Sequence, residues 1–226
     1  PDRCVLLPDE SADCPMAHMA TEEQILRLRK EVPDLAVVCY INSSAKLKSL
    51  SDVCVTSSNA VKIVGALPNK NILFIPDANL GGYVQKQFPE KNFYFSGGYC
   101  PVHAVLLEED ILSETQAQFL VHPEARKEVC ALADFTGSTS EIIEYAQKSA
   151  AQEFILGTEP GVLYELEKRC PGKRFYPVTP VCEDMKRITM EKLLACLREK
   201  KYEVIMDKQL MNAARRPLER MLELAK

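Results

Sequence analysis

The chain has 226 residues, 46% hydrophobic and 27% charged, a balance that builds a packed core and excludes wholesale disorder. Its 28 basic and 32 acidic residues give a net charge of −4, which excludes a nucleic-acid protein dominated by phosphate neutralisation. No apolar run reaches the roughly 20 residues of a membrane span and no signal peptide is visible, so no nucleic-acid or membrane partner is expected and the expected location is cytoplasmic.

Taken in chain order, the sequence reads as alternating helices and short apolar strands. The opening Pro1-Asp2-Arg3 lacks an initiator Met, and the expectation is a processed or truncated chain. Helix is predicted over 21–30, where Thr21-Glu22-Glu23 places acidic groups at a helix N-terminus. AVVCYI (36–41) is a strand of the kind buried in a parallel sheet, and DVCVT (52–56) is a second. Residues 57–67 form a helix capped by Ser57 or Ser58. Strand 71–75, helix 80–87 and strand 92–95 complete the unit. A second unit follows, with strands 119–121, 134–136, 153–156 and 174–176 and helices 139–149 and 161–169. Helix and strand over 189–207 and a helix over 211–224 close the chain.

The two units are copies. Shifted by 82 residues, PEKNFYFSGGYC, which ends at Cys100, falls on PGKRFYPVTPVC, which ends at Cys182, and NILFIPD (71–77) falls on EFILGTE (153–159). Residues 1–14 look like the tail of a further copy, ending at Cys14. The fold class expected is therefore α/β, a pseudo-threefold repeat of small αβα domains with parallel sheets and the active site at the centre. The expected boundaries are 1–20 as the rim of an otherwise missing first domain, 21–106 as the second domain, 107–186 as the third, and 187–226 as a C-terminal segment packing on the first.

Ligands of such sheets sit beyond the carboxyl ends of the strands. Those positions here hold Tyr40 and Asn42, Thr56 to Asn59, Asp77, His122 and Glu124, Ser138 to Ser140, and Thr158 and Glu159. Hydroxyl-rich turns that open helices suit anions, and a phenol, an imidazole and a carboxylate can carry protons. A small anionic substrate is expected. The nine cysteines sit singly, with no Cys-x-x-Cys, so neither a zinc ribbon nor a thioredoxin motif is supported. Cys14, Cys100 and Cys182 each come from one repeat. They are either free loop thiols or soft-metal ligands converging on one centre, where three cysteines on a four-iron cube leave one iron open.

The phrases DCPMAHMA (13–20), YINSSA (40–45), SDVCVTSSNAVKIV (51–64), FIPDANLGGYV (74–84), GGYCPVH (97–103), LVHPE (120–124), ADFTGSTSEII (133–143), FILGTEPG (154–161) and CEDMKRIT (182–189) resemble the quinolinate synthase family through nearly the whole chain. The resemblance implies three pseudo-symmetric αβα domains around a central [4Fe–4S] cluster. It also implies a transferase of NAD biosynthesis that condenses iminoaspartate with dihydroxyacetone phosphate to quinolinate, phosphate and water. A functional partner supplying the imine, L-aspartate oxidase or aspartate dehydrogenase, is expected by the same route. The family's cluster ligands match Cys14, Cys100 and Cys182, and its substrate-binding residues match Tyr40, Asn42, Ser57, His122, Glu124 and Thr139. Glu124 is the expected proton carrier, with Tyr40 the second candidate, and His103 is expected beside the cluster or the substrate. The family's first-domain His-Asn-Tyr stretch and serine find no match here. Tyr176 and Thr179 stand where some members carry two further cysteines, so no disulfide switch is expected there.

Blander readings stand beside these. Cys4, Cys39, Cys54, Cys130, Cys170 and Cys196 are expected as core fillers, and Ser57 and Thr139 also fit as simple helix caps. Asp77 and Glu159 could bind a ribose, but no Gly-x-Gly-x-x-Gly accompanies them. The alternative function is a non-catalytic phosphate- or carboxylate-binding protein on the same scaffold, and a weaker one is a redox sensor built on loop thiols.

Overall fold

The computed structural model describes residues 3–111 and 116–226. Pro1 and Asp2 of the expected N-terminal repeat tail lie outside the described residues. The first unit contains α1 (Glu22–Glu31), β1 (Leu35–Tyr40), α2 (Ala45–Ser49), β2 (Val53–Val55), α3 (Ala60–Ala66), β3 (Asn71–Ile75), α4 (Ala78–Gln85), β4 (Asn92–Phe95) and the short α5 (Pro101–Ala104). The second contains β5 (Gln118–Val121), α6 (Lys127–Leu132), β6 (Phe135–Thr136), α7 (Thr139–Lys148), β7 (Glu153–Gly157), α8 (Leu163–Arg169), β8 (Arg174–Pro177) and α9 (Glu183–Lys186). Helices α10 (Met190–Glu199) and α11 (Lys208–Leu224) follow.

Each unit carries a four-stranded parallel sheet, in the order β2-β1-β3-β4 and β6-β5-β7-β8. The α/β reading is correct, and the repeat is visible in the register. Asn71 pairs with Asn92 in the first sheet and Glu153 with Arg174 in the second, the same two positions 82 residues on. Among the described residues two sheets are present, so the third member of the pseudo-threefold repeat remains an expectation.

Strands buried on both faces need apolar side chains in both directions. In β1 the alternation sends Ala36, Val38 and Tyr40 to the α3 and α4 side, and Leu35, Val37 and Cys39 to the side of α1 and α2. The second sheet repeats the division, with Leu120, Phe154 and Leu156 under α7 and α8, and Phe119, Val121 and Ile155 on the other side. Cys39 and Cys54 are partners across β1 and β2 with no exposure, and Cys170 and Cys196 are buried. Cys130 is half-buried, whereas Cys4 is exposed, which corrects its reading as core.

Capping sets the helix starts. Thr21 with Gln24, and Ser138 with Glu141, form reciprocal capping boxes. Asp77 caps α4 and starts it two residues earlier than the hydrophobic pattern indicates. The expected cap by Ser57 or Ser58 is not found: α3 begins after Asn59, whose side chain turns back to accept from the Thr56 N–H at 2.7 Å. Ser138, not Thr139, caps α7. The Ser57 and Thr139 hydroxyls are thus free of capping duty.

Residues 5–7 pair antiparallel with 202–204 through Leu7 N to Tyr202 O (3.0 Å) and Val204 N to Val5 O (2.8 Å). The strand expected before residue 207 is confined to this short contact. Helix α11 lies along α2, β2 and α3 of the first unit, with Ala214 and Pro217 buried.

Candidate active site

The three repeat cysteines occupy equivalent local positions. Cys14 precedes a 3-10 turn at Pro15–His18, Cys100 precedes α5 and Cys182 precedes α9. Each is the extended residue from which a short helical turn begins, with φ and ψ of −117° and 111°, −77° and 115°, and −77° and 102°. This geometry aims the amides of the turn back at the side chain. The N–H groups of Met16 and Ala17 serve the Cys14 sulfur, and those of Val102 and His103 serve Cys100. Gly98 lets the Cys100 loop approach the first sheet, since a Cβ there would meet the Pro76 carbonyl oxygen at 2.6 Å.

One cavity of about 830 Å³ collects the candidates from both units. Its lining includes Cys14, Tyr40, Asn42, Ser57, Cys100, His122, Glu124, Thr139 and Cys182, all nine residues singled out from sequence. Their chain positions span 168 residues (182 − 14), so the grouping is a property of the fold. Tyr40 and Asn42 stand at the end of β1, Ser57 after β2, His122 and Glu124 after β5, and Thr139 opens α7. His103, expected beside the cluster or the substrate, and Thr158 and Glu159, expected at the end of a strand, also line it.

Glu124 is the electrostatic centre and is only 4% exposed. Its Oε2 lies 3.0 Å from His103 Nδ1 and 3.9 Å from His122 Nδ1, and the Tyr40 hydroxyl donates to it. Burial alone would raise its pKa, but the His103 hydrogen bond, both imidazoles and the phenol outweigh burial and hold the carboxyl well below its ordinary value. Glu124 is therefore ionised at neutral pH. The His103 and His122 rings stack at 4.8 Å. Burial lowers His122 to about 4, with Glu124 opposing and His103 adding to the shift. Its Nδ1 accepts from the Glu124 N–H at 3.3 Å, so the neutral ring carries its proton on Nε2. His103 Nε2 lies 3.1 Å from the Thr158 hydroxyl. His103 Nδ1 also lies 3.2 Å from Cys100 Sγ.

Tyr40 is pushed far above the ordinary phenol value, first by burial and then by the Glu124 charge. It is a hydrogen-bond donor at neutral pH. Asp77 is raised to about 7 by burial and the Glu124 charge, against the amides of Leu80, Cys100 and Asn79. Asn79 on α4 reaches across to donate to the Glu124 carbonyl at 3.0 Å, which fastens the Glu124 loop of one unit to a helix of the other.

The Cys100 thiol is raised to about 12 by burial and by Glu124. Burial also raises Cys14, with smaller contributions from Glu124 and Cys182. All nine cysteines are free thiols. Cys100 Sγ, a His103 ring nitrogen and a Glu124 oxygen lie within 4.8 Å of one another, a set able to hold a metal ion. Unpaired thiols on one cavity wall, two of them faced by amides that favour thiolate, fit a soft-metal or iron–sulfur group.

Comparison with known proteins shows the family of the chain. A family model described as quinolinate synthetase A protein matches residues 1–223. The chain is 48% identical over 231 residues to a quinolinate synthase of Caldicellulosiruptor saccharolyticus, covering 100% of this chain and 76% of the relative. It is 46% identical to a quinolinate synthase of Clostridioides difficile with the same coverage. It is 42% identical to quinolinate synthase 2 of Methanosarcina acetivorans, covering 100% of this chain and 74% of that protein.

Proposed function

The chain belongs to the quinolinate synthetase A family, and from that premise we propose that it condenses iminoaspartate with dihydroxyacetone phosphate to quinolinate, phosphate and water, with a [4Fe–4S] cluster held by Cys14, Cys100 and Cys182. The observation that carries the reading is the single cavity that gathers the three thiols and six polar side chains from two sheets. When bound, a cluster with an open iron supplies a Lewis acid for loss of water from the substrate.

The remaining chemistry falls to the chain's own residues. Neutral His122 offers Nε2–H to a carboxylate or phosphate oxygen, and Asn42, Ser57 and Thr139 add a side-chain amide and two hydroxyls without a helix-capping role. Glu124 accepts a proton. So acidic a carboxylate is a weak base alone, and the His103 ring bonded to it at 3.0 Å provides a second proton station. Tyr40 keeps its own proton and holds the Glu124 carboxylate in place. The imine substrate is reactive toward water, so an enzyme that oxidises L-aspartate is the expected functional partner.

Anaerobic purification tests the proposal. The expected result is brown protein with about four irons and equal sulfide per chain and quinolinate formation from the two substrates. Colourless protein that binds phosphate but forms no quinolinate would contradict it.

A further inference from the structure

The backbone N–H of every candidate cluster cysteine donates to a carboxylate. Cys14 N donates to Asp13 Oδ1 at 2.7 Å, Cys100 N to Asp77 Oδ2 at 3.0 Å and Cys182 N to Glu159 Oε1 at 3.4 Å. The last two contacts each span 23 residues, so Asp77 and Glu159 are counterparts in the two repeats. Each divides its oxygens in the same way. Asp77 Oδ1 accepts from the Leu80 N–H at 2.7 Å, and Glu159 Oε2 accepts from the Gly161 N–H at 2.7 Å. One oxygen thus caps the following helical turn while the other holds a cysteine. Asp77 is fully buried and forms no ion pair among the described residues, whereas Glu159 is half-buried and meets Lys186 at 3.4 Å.

We propose that Asp77 and Glu159 are a matched pair of positioning residues that fix the Cys100 and Cys182 loops in the conformation required to receive the metal group. The inference rests on the metal-site reading above. With its own N–H engaged by a carboxylate, the Cys100 backbone is fixed, and the amides two and three residues on are left for its sulfur. An amide side chain of the same shape has a single acceptor oxygen. Asp77→Asn therefore cannot both cap α4 and hold Cys100, and Glu159→Gln faces the same loss at Cys182.

The test compares both variants with the parent protein. Hydrogen exchange of the metal-free proteins is followed in residues 96–104 and 178–186, and iron release to a chelator is followed in the loaded proteins. Asp77→Asn is expected to speed exchange in 96–104 and iron release about tenfold, the loss of one buried hydrogen bond. Glu159→Gln is expected to act about threefold, because its contact is longer and more exposed, and to act only in 178–186. Faster exchange confined to residues 78–85, with unchanged iron release, would show that Asp77 only caps α4 and would overturn the proposal. Parent protein that takes up no iron would sink the metal-site reading, and loop exchange would still decide the positioning role. If Asp77→Asn does not fold, Glu159→Gln at its more accessible site carries the decision.

Discussion

Replacing Glu124 by Gln removes one charge from the centre of the site and leaves its shape. The carboxylate is 4% exposed, accepts from His103 and from Tyr40, and sits beside Cys100. Loss of a proton acceptor at the reacting centre costs on the order of 10² to 10⁴ in rate, so kcat for quinolinate formation should fall by that factor. Iron content should stay the same, because a neutral amide at this position is no worse a neighbour for thiolates than a carboxylate. A second consequence is independent of turnover. The Glu124 pKa is depressed on folding, so its contribution to stability is present above the unfolded value and is lost as pH falls through the folded one. Converted at 1.36 kcal/mol per pH unit, the depression from 4.5 to about 2 amounts to about 3 kcal/mol. Metal-free Glu124→Gln should therefore lose less stability than the parent between about pH 5 and 2, measured by urea unfolding. Quinolinate production at the parent rate would remove Glu124 from its proposed role, and an unchanged acid profile would refute the electrostatic reasoning.

Other expectations follow from the same geometry. Cys100→Ala should lose iron while its circular dichroism and melting temperature stay near those of the parent, because the thiol lies in a loop; full retention of iron would refute the ligand assignment. His122 is lowered from 6.5 to about 4 and Asp77 is raised from 3.8 to about 7. As pH falls through that window the unfolded chain protonates its histidine, which destabilises the fold, while the folded chain protonates Asp77, which stabilises it. In the metal-free protein the two slopes oppose. His122→Gln should gain up to about 3 kcal/mol relative to the parent between pH 6.5 and 4, and parallel profiles would contradict this. Thr158→Val removes the hydroxyl that bonds to His103 Nε2 and should lower kcat about tenfold with unchanged KM, the loss of one buried hydrogen bond; parent kinetics would show that this contact does not position the His103 ring.

The strands were legible because parallel sheets covered on both faces demand continuous apolar runs, and AVVCYI and NILFI are such runs. The 82-residue offset located the strand ends, and with them Tyr40, Ser57, His122 and Glu124. The α3 cap was misplaced because Thr56-Ser57-Ser58-Asn59 contains four capable side chains, and only the backbone path shows that Asn59 folds back on Thr56. The Asn79 contact with Glu124 and the Thr158 contact with His103 have no sequence signal. They join residues 45 and 55 positions apart and depend on how the second sheet meets α4 and the Cys100 loop. Cys4 illustrates a different limit: it stands beside the apolar run Val5-Leu6-Leu7, yet the chain there pairs with an exposed segment rather than entering a core.

The central claim is that three thiols from separate repeats hold one iron–sulfur group in the cavity of Glu124. Anomalous scattering at the iron edge from anaerobically grown crystals tests it most directly. A single multi-iron peak bonded to Cys14, Cys100 and Cys182 is the predicted result. Iron bound elsewhere, or by fewer than these three sulfurs, would contradict it.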